Sequence, residues 1–227
     1  MFMWLDPTIF LLFPALLVSF WAQFKLQRTF SKYSKVPTST GLKASEVAER
    51  VLTDAGIDDV RIESIPGVLT DHYDPIARVL RLSKPVFGST SIAAVGVAAH
   101  EAGHAVQDKA GYLPMRIRHR IVPIVSFGSQ LAFPIFFLGL FMGLPFFLRL
   151  GILLFVGIVL FHLVTLPVEL DASRRALNLL KKNRLVSNKE LKAVRETLTA
   201  AALTYVAATL VAIMQLARLL ILARRRE

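Results

Sequence analysis

The residues best suited to chemistry in this chain are His100, Glu101 and His104, in the run His100-Glu101-Ala102-Gly103-His104. On a helix, histidines four residues apart project from one face, where both imidazoles can grip a single zinc ion with Glu101 beside it as a general base. Zinc in a catalytic site takes three protein ligands and leaves a fourth position to water, whose pKa falls to about 7. Glu101 would accept that water's proton and pass it to a leaving amine. The pattern reads as a zinc-dependent hydrolase of peptide bonds. The alternative is a polar turn on a packed helix, but two imidazoles and a carboxylate buried among alanines, valines and glycines need partners. A metal supplies them. Gly96 and Gly103 lie in the same segment although each costs up to ~1 kcal/mol relative to alanine; they serve either close helix packing or room beside a metal.

A third ligand must come from elsewhere. The chain has no cysteine, so the donors are histidines and carboxylates. Gln107 and Ala110 stand where a metzincin carries glycine and a third histidine, which excludes that class. Glu169, Asp171, His162, His119 and His72 are the candidates. Glu169 is preferred: it lies in Leu166-Pro167-Val168-Glu169-Leu170-Asp171, where Pro167 suits a helix start. A carboxylate in a first helical turn also complements the helix dipole without any metal. Asp171 has Arg174 and Arg175 three and four residues on as ion-pair partners. His162, inside an apolar stretch, is held in reserve.

These residues need elements to position them, and the composition says where those elements lie. With 227 residues, 54% of them apolar, and a positive mean hydropathy, the chain is a membrane protein with room for one catalytic domain. Its net charge of +11 is not that of a nucleic-acid binder, because the basic residues flank the apolar stretches and no P-loop, zinc-finger or RNP-type motif is present. Thr8 to Gln23 is a first span, with no positive charge before it and no cleavage site after it, hence an uncleaved anchor. Ile121 to Met142 and Leu150 to Pro167, separated by Gly143-Leu144-Pro145, form a membrane hairpin. Ala200 to Leu216 either spans or packs along the catalytic domain.

Between the anchor and the hairpin, Ala44 to Ala55 has helical apolar spacing and stops at Gly56. Val60 to Ile65 and Ala77 to Leu82 read as strands around an Asp71 to Pro75 turn. Ser89 to Ser91 can cap the motif helix, expected over about Ile92 to Val106. The strand Arg78 to Leu82 either offers a free edge to an extended substrate or is an ordinary core strand. The expected fold is a mainly α integral membrane protein with three or four transmembrane helices and a small α+β zincin-like domain. Its parts are an anchor at 1–24, a catalytic region at 25–120, the hairpin at 121–167, a helical region with the ligand glutamate at 168–199, and a last apolar helix with a basic tail at 200–227.

Three runs carry a family resemblance: Leu69 to Pro75 (LTDHYDP), Val97 to Gln107 (VAAHEAGHAVQ) and Leu166 to Ala176 (LPVELDASRRA). Together they resemble the bacterial YugP-type neutral zinc metallopeptidases over nearly the whole chain. The resemblance implies an integral membrane peptidase with His100 and His104 as zinc ligands and Glu101 as the catalytic residue. More distantly the order of elements is similar to membrane gluzincins of the CAAX-protease and heat-shock-protease group, whose ligand glutamate opens an E-x-x-x-D pattern; here Ser173 stands in place of that aspartate. A second reading is a site-2-type intramembrane protease, with Leu170-Asp171-Ala172 as an imperfect L-D-G motif. A third is a non-catalytic scaffold, for which an intact Glu101 has no use. Tyr73, His72, Tyr112, Tyr205 and Arg174 are equal candidates for stabilising an oxyanion. The implied partners are a peptide or membrane-protein substrate and the lipid bilayer, in a multi-pass cell-membrane protein. Lys25, Arg28, Lys32, Lys35, Arg116, Arg118, Arg120, Arg174, Arg175, Lys181, Lys182 and Arg184 put the catalytic domain on the cytoplasmic side by the positive-inside rule. Arg224, Arg225 and Arg226 favour a last helix that does not cross.

Overall fold

A computed structural model describes residues 7–224; Met1 to Asp6, Arg225, Arg226 and Glu227 lie outside the described residues. A 3-10 turn at Pro7–Leu12 leads into α1 (Phe13–Tyr33), followed by α2 (Ala44–Asp54), β1 (Arg61–Ile65), β2 (His72–Asp74), β3 (Val79–Ser83), the short α3 (Lys84–Phe87), α4 (Ile92–Lys109), α5 (Leu113–Met142), α6 (Pro145–Lys182) and α7 (Asn188–Arg224). Four helical stretches, Pro7–Tyr33, α5, α6 and α7, are long and apolar enough to cross a membrane. The chain divides into two compact units.

One unit comprises Pro114–Pro167 with the described parts of Met1–Gln23 and Leu203–Glu227. Its buried centre is Ala132, Phe136, Leu148, Phe155, Val159, Ala212 and Leu219. Phe10, Phe20, Ile124, Phe146 and Leu153 are instead each at least 66% exposed, an apolar surface suited to lipid. The hairpin expected around Gly143 is present, with Gly143 at φ +67°.

The other unit, Phe24–Leu113 with Val168–Ala202, carries the polar chemistry. α2 buries Ala44, Val47, Ala48, Val51 and Leu52 on one face, the spacing of an amphipathic helix. Each larger side chain among them is worth roughly 1.5–3 kcal/mol of burial. Gly56, at φ +66°, ends α2 as expected. Lys109, at the end of α4, donates to the carbonyls of Ala55 (2.8 Å) and Gly56 (2.6 Å), fixing that turn.

Three expectations are corrected. The Asp71 to Pro75 stretch contains a strand, β2, and the sheet order is β1-β3-β2, with β1 parallel and β2 antiparallel to β3. β3 is therefore central, both its edges are occupied, and the free-edge reading of Arg78 to Leu82 falls; Val79, Leu80 and Leu82 are buried as a core strand requires. Pro167 does not open a helix: it lies inside α6, so Glu169 and the preceding apolar stretch share one helix. The last helix also begins earlier than expected and runs unbroken from Asn188 to Arg224.

Candidate metal centre

The centre is built where α4 and the second half of α6 cross. Ser91 caps α4 by accepting from the Ala94 amide at 3.3 Å, as Ser/Thr/Asp caps do. Small residues make the crossing close: Ala98, Ala99, Ala102 and Ala105 on α4, and Val168, Ala172 and Ala176 on α6, are at most 1% exposed. A β-carbon on Gly103 would stand 2.6 Å from the Ala172 carbonyl oxygen, and one on Gly96 would meet a Val194 methyl at 3.2 Å. Both glycines therefore serve helix packing.

At this crossing His100, His104 and Glu169 present ligand atoms that all lie within 4.8 Å of one another. The Nε2 atoms of His100 and His104 stand 3.2 Å and 3.7 Å from the same oxygen, Oε2 of Glu169. The two rings meet edge to face with centroids 4.8 Å apart. Two donors each about 2 Å from one tetrahedral ion are about 3.4 Å apart, so the spacing fits zinc. The far side of each ring is also engaged. Nδ1 of His100 meets Ser173 Oγ at 3.1 Å, and Nδ1 of His104 meets Gln107 Oε1 at 2.9 Å, so each ring is held on the side away from Glu169. Glu169 is 2% exposed and His104 7%, so this polar cluster needs internal partners. Burial pushes the His104 pKa down, but the hydrogen bond to Glu169 and the charges of Glu101 and Glu169 outweigh it and leave the imidazole raised above its ordinary value. The Glu101 charge acts on His104, and no hydrogen bond of its carboxylate is seen among the described residues.

Residues 8–224 match the family described as "putative neutral zinc metallopeptidase". The chain belongs to this family. It is 48% identical over 210 residues, 92% of this chain and 93% of the relative, to the Bacillus subtilis (strain 168) protein described as "putative membrane protease YugP". No solved structure matches.

The remaining sequence candidates have other partners or belong to the other unit. Asp171 does not join the cluster: it pairs with Arg174 and with Arg175 Nε (2.5 Å) and accepts from Gln107 Nε2 at 2.9 Å. His72 is in β2, with Nδ1 2.8 Å from the Thr70 carbonyl and Nε2 3.3 Å from Arg81. His119 and His162 belong to the other unit. Of the oxyanion candidates, Tyr73 donates to Asp108 at 2.9 Å and Arg174 is bound to Asp171. The ring of Tyr112 lies 5.7 Å from the Arg175 guanidinium, and Tyr205 is in the other unit. Burial and then Asp108 hold the Tyr73 phenol well above its ordinary pKa, so it stays protonated in that bond.

Two working residues escaped the sequence reading of roles. Ser173 occupies the position of the aspartate in E-x-x-x-D and meets Nδ1 of His100 at 3.1 Å. Gln107 was noted only for not being glycine, yet it holds the second. Its spacing was the available signal: a polar residue three after His104 shares that histidine's helix face.

Proposed function

We propose that this chain is a membrane-embedded zinc metallopeptidase in which His100, His104 and Glu169 hold the ion and Glu101 is the general base. The convergence of both Nε2 atoms on one Glu169 oxygen, with both Nδ1 atoms already engaged, carries the reading. Zinc supplies Lewis acidity that makes hydroxide accessible near neutral pH and polarises a peptide carbonyl. Glu101 accepts the attacking water's proton and returns it to the departing amine, so the bond is hydrolysed without a covalent enzyme intermediate. Ser173 and Gln107 hold the imidazoles in the orientation that ligation needs.

The substrate class is a peptide or a membrane protein, and nucleic acid is no part of the function. The protein is read as multi-pass in the cell membrane. Two crossings, α5 and the first half of α6, separate the segment carrying His104 from that carrying Glu169, which returns the chain to the side it left. The basic residues around both segments put that side in the cytoplasm.

Metal analysis of the purified protein beside cleavage of unfolded protein substrates tests the reading. One zinc per chain is expected, with activity lost to a chelator and restored by zinc. Chelator-resistant cleavage, or a metal-free active chain, overturns it.

A further inference from the structure

Gln107 is fully buried and makes three hydrogen bonds with its one amide group. Its Nε2 donates to the Val168 carbonyl at 2.8 Å and to Asp171 Oδ2 at 2.9 Å. The partners are a peptide carbonyl and a carboxylate that Arg174 and Arg175 also hold. A flipped amide would set its own oxygen against two oxygens, which costs more than a lost hydrogen bond in a buried site. The orientation of the amide is therefore fixed by α6, and Oε1 must face His104 Nδ1, 2.9 Å away. An amide oxygen only accepts. Nδ1 must then carry a hydrogen, so when the imidazole is neutral its lone pair sits on Nε2, the nitrogen that faces Glu169.

We propose that Gln107 is a positioning residue that selects the metal-binding tautomer of His104, and that Asp171, held by Arg174 and Arg175, keeps the Gln107 amide the right way round. This rests on the zinc reading of the His100, His104 and Glu169 cluster. It gives Asp171 a task that neither ligation nor plain ion pairing describes. A carboxylate that could have competed for the metal is held by two guanidiniums on its own helix and turned toward the amide instead. It also explains a glutamine at a fully buried position beside alanines, where an apolar side chain would otherwise be the stable choice.

A merely structural tie between α4 and α6 would also lose stability on truncation, so the test must read the metal's surroundings. The full-length detergent-solubilised protein is stripped and titrated with Co(II) and with zinc against a chelator, recording the Co(II) ligand-field absorption and the melting of the metal-free form. Gln107→Leu, similar in volume but without donor or acceptor, should weaken metal affinity about 10–100-fold and alter the Co(II) spectrum. Gln107→Glu should do the same, because its carboxylate meets Asp171 and the Val168 carbonyl. Combining Gln107→Glu with Asp171→Asn restores a donor opposite an acceptor and should recover most of the affinity and the native spectrum. Gln107→Leu with native affinity and spectrum overturns the role of Gln107. If that variant does not fold, the comparison of Gln107→Glu with the double variant decides, and absence of rescue overturns the role of Asp171. A native chain that takes up neither metal overturns the zinc reading itself.

Discussion

Gly103 of α4 lies against the backbone of Ala172 in α6, so close that a β-carbon on the glycine would stand 2.6 Å from the Ala172 carbonyl oxygen. The obstacle is backbone, which cannot swing aside as a side chain can. Gly103→Ala must therefore push the two helices apart at the point where His100 and His104 meet Glu169. We expect a loss of about 1–3 kcal/mol in stability together with weaker zinc retention. Gly96→Ala, which meets only a Val194 methyl at 3.2 Å, should be milder on both counts. Melting and zinc content of the two variants check this; equal behaviour would contradict the backbone argument.

Glu101→Gln should keep zinc and fold while losing hydrolysis, because an amide cannot accept the water's proton. A general base contributes roughly 10²–10⁴-fold in rate, and a fall of at least that order is expected. Zinc content is measured beside turnover on the same preparation. Native turnover in the variant would sink the mechanism.

Glu169→Ala should impair zinc retention as severely as His100→Ala, since each removes one of three donors. Asp171→Ala leaves all three donors in place and should weaken zinc far less, together with a local loss of helix stability from the Arg174 and Arg175 pairs. Dialysis against graded chelator ranks the variants. Asp171→Ala proving as damaging as Glu169→Ala would raise the site-2-type reading to first place.

Metal-free and zinc-loaded protein should respond oppositely to pH. In the metal-free chain the His104 pKa is raised above 6.5. Its protonated form therefore adds stability that is fully present below the unfolded pKa and is lost as pH rises through the folded one. Zinc needs the neutral imidazole, so its stabilisation grows over that same interval. Melting temperatures of both forms from about pH 5.5 to 8.5 should therefore diverge as pH rises. Parallel curves would show that His104 is not exchanging a proton for the metal.

The cysteine-free chain allows single cysteines at Ser34, Ser187 and Glu227 to report topology. With the site in the cytoplasm, an impermeant thiol reagent added to intact cells should spare Ser34→Cys and Ser187→Cys. Labelling at either would refute that orientation. Labelling of Glu227→Cys alone would show that α7 crosses.

The sequence by itself carried the helix-borne spacing of His100, Glu101 and His104 and the apolar helices, whereas the choice of Glu169 leaned on Pro167 opening a helix, which it does not. The spacing and the apolar helices follow from local periodicity or from composition, which short-range sterics and burial dictate. The pairing of strands did not follow, because a three-residue strand such as β2 is defined by its neighbour β3 and not by its own residues. Pro167 also misled: its fixed φ suits a helix start, yet the packed surroundings of α6 carry the helix through it. Only the tertiary structure decided what lies behind the histidines. Ser173 and Gln107 are ordinary polar residues until α4 and α6 meet. The meeting depends on contacts 60 to 70 residues apart in the chain, such as Gln107 to Val168 (61 residues) and His100 to Glu169 (69 residues), whose loop-closure entropy is repaid only in the folded state.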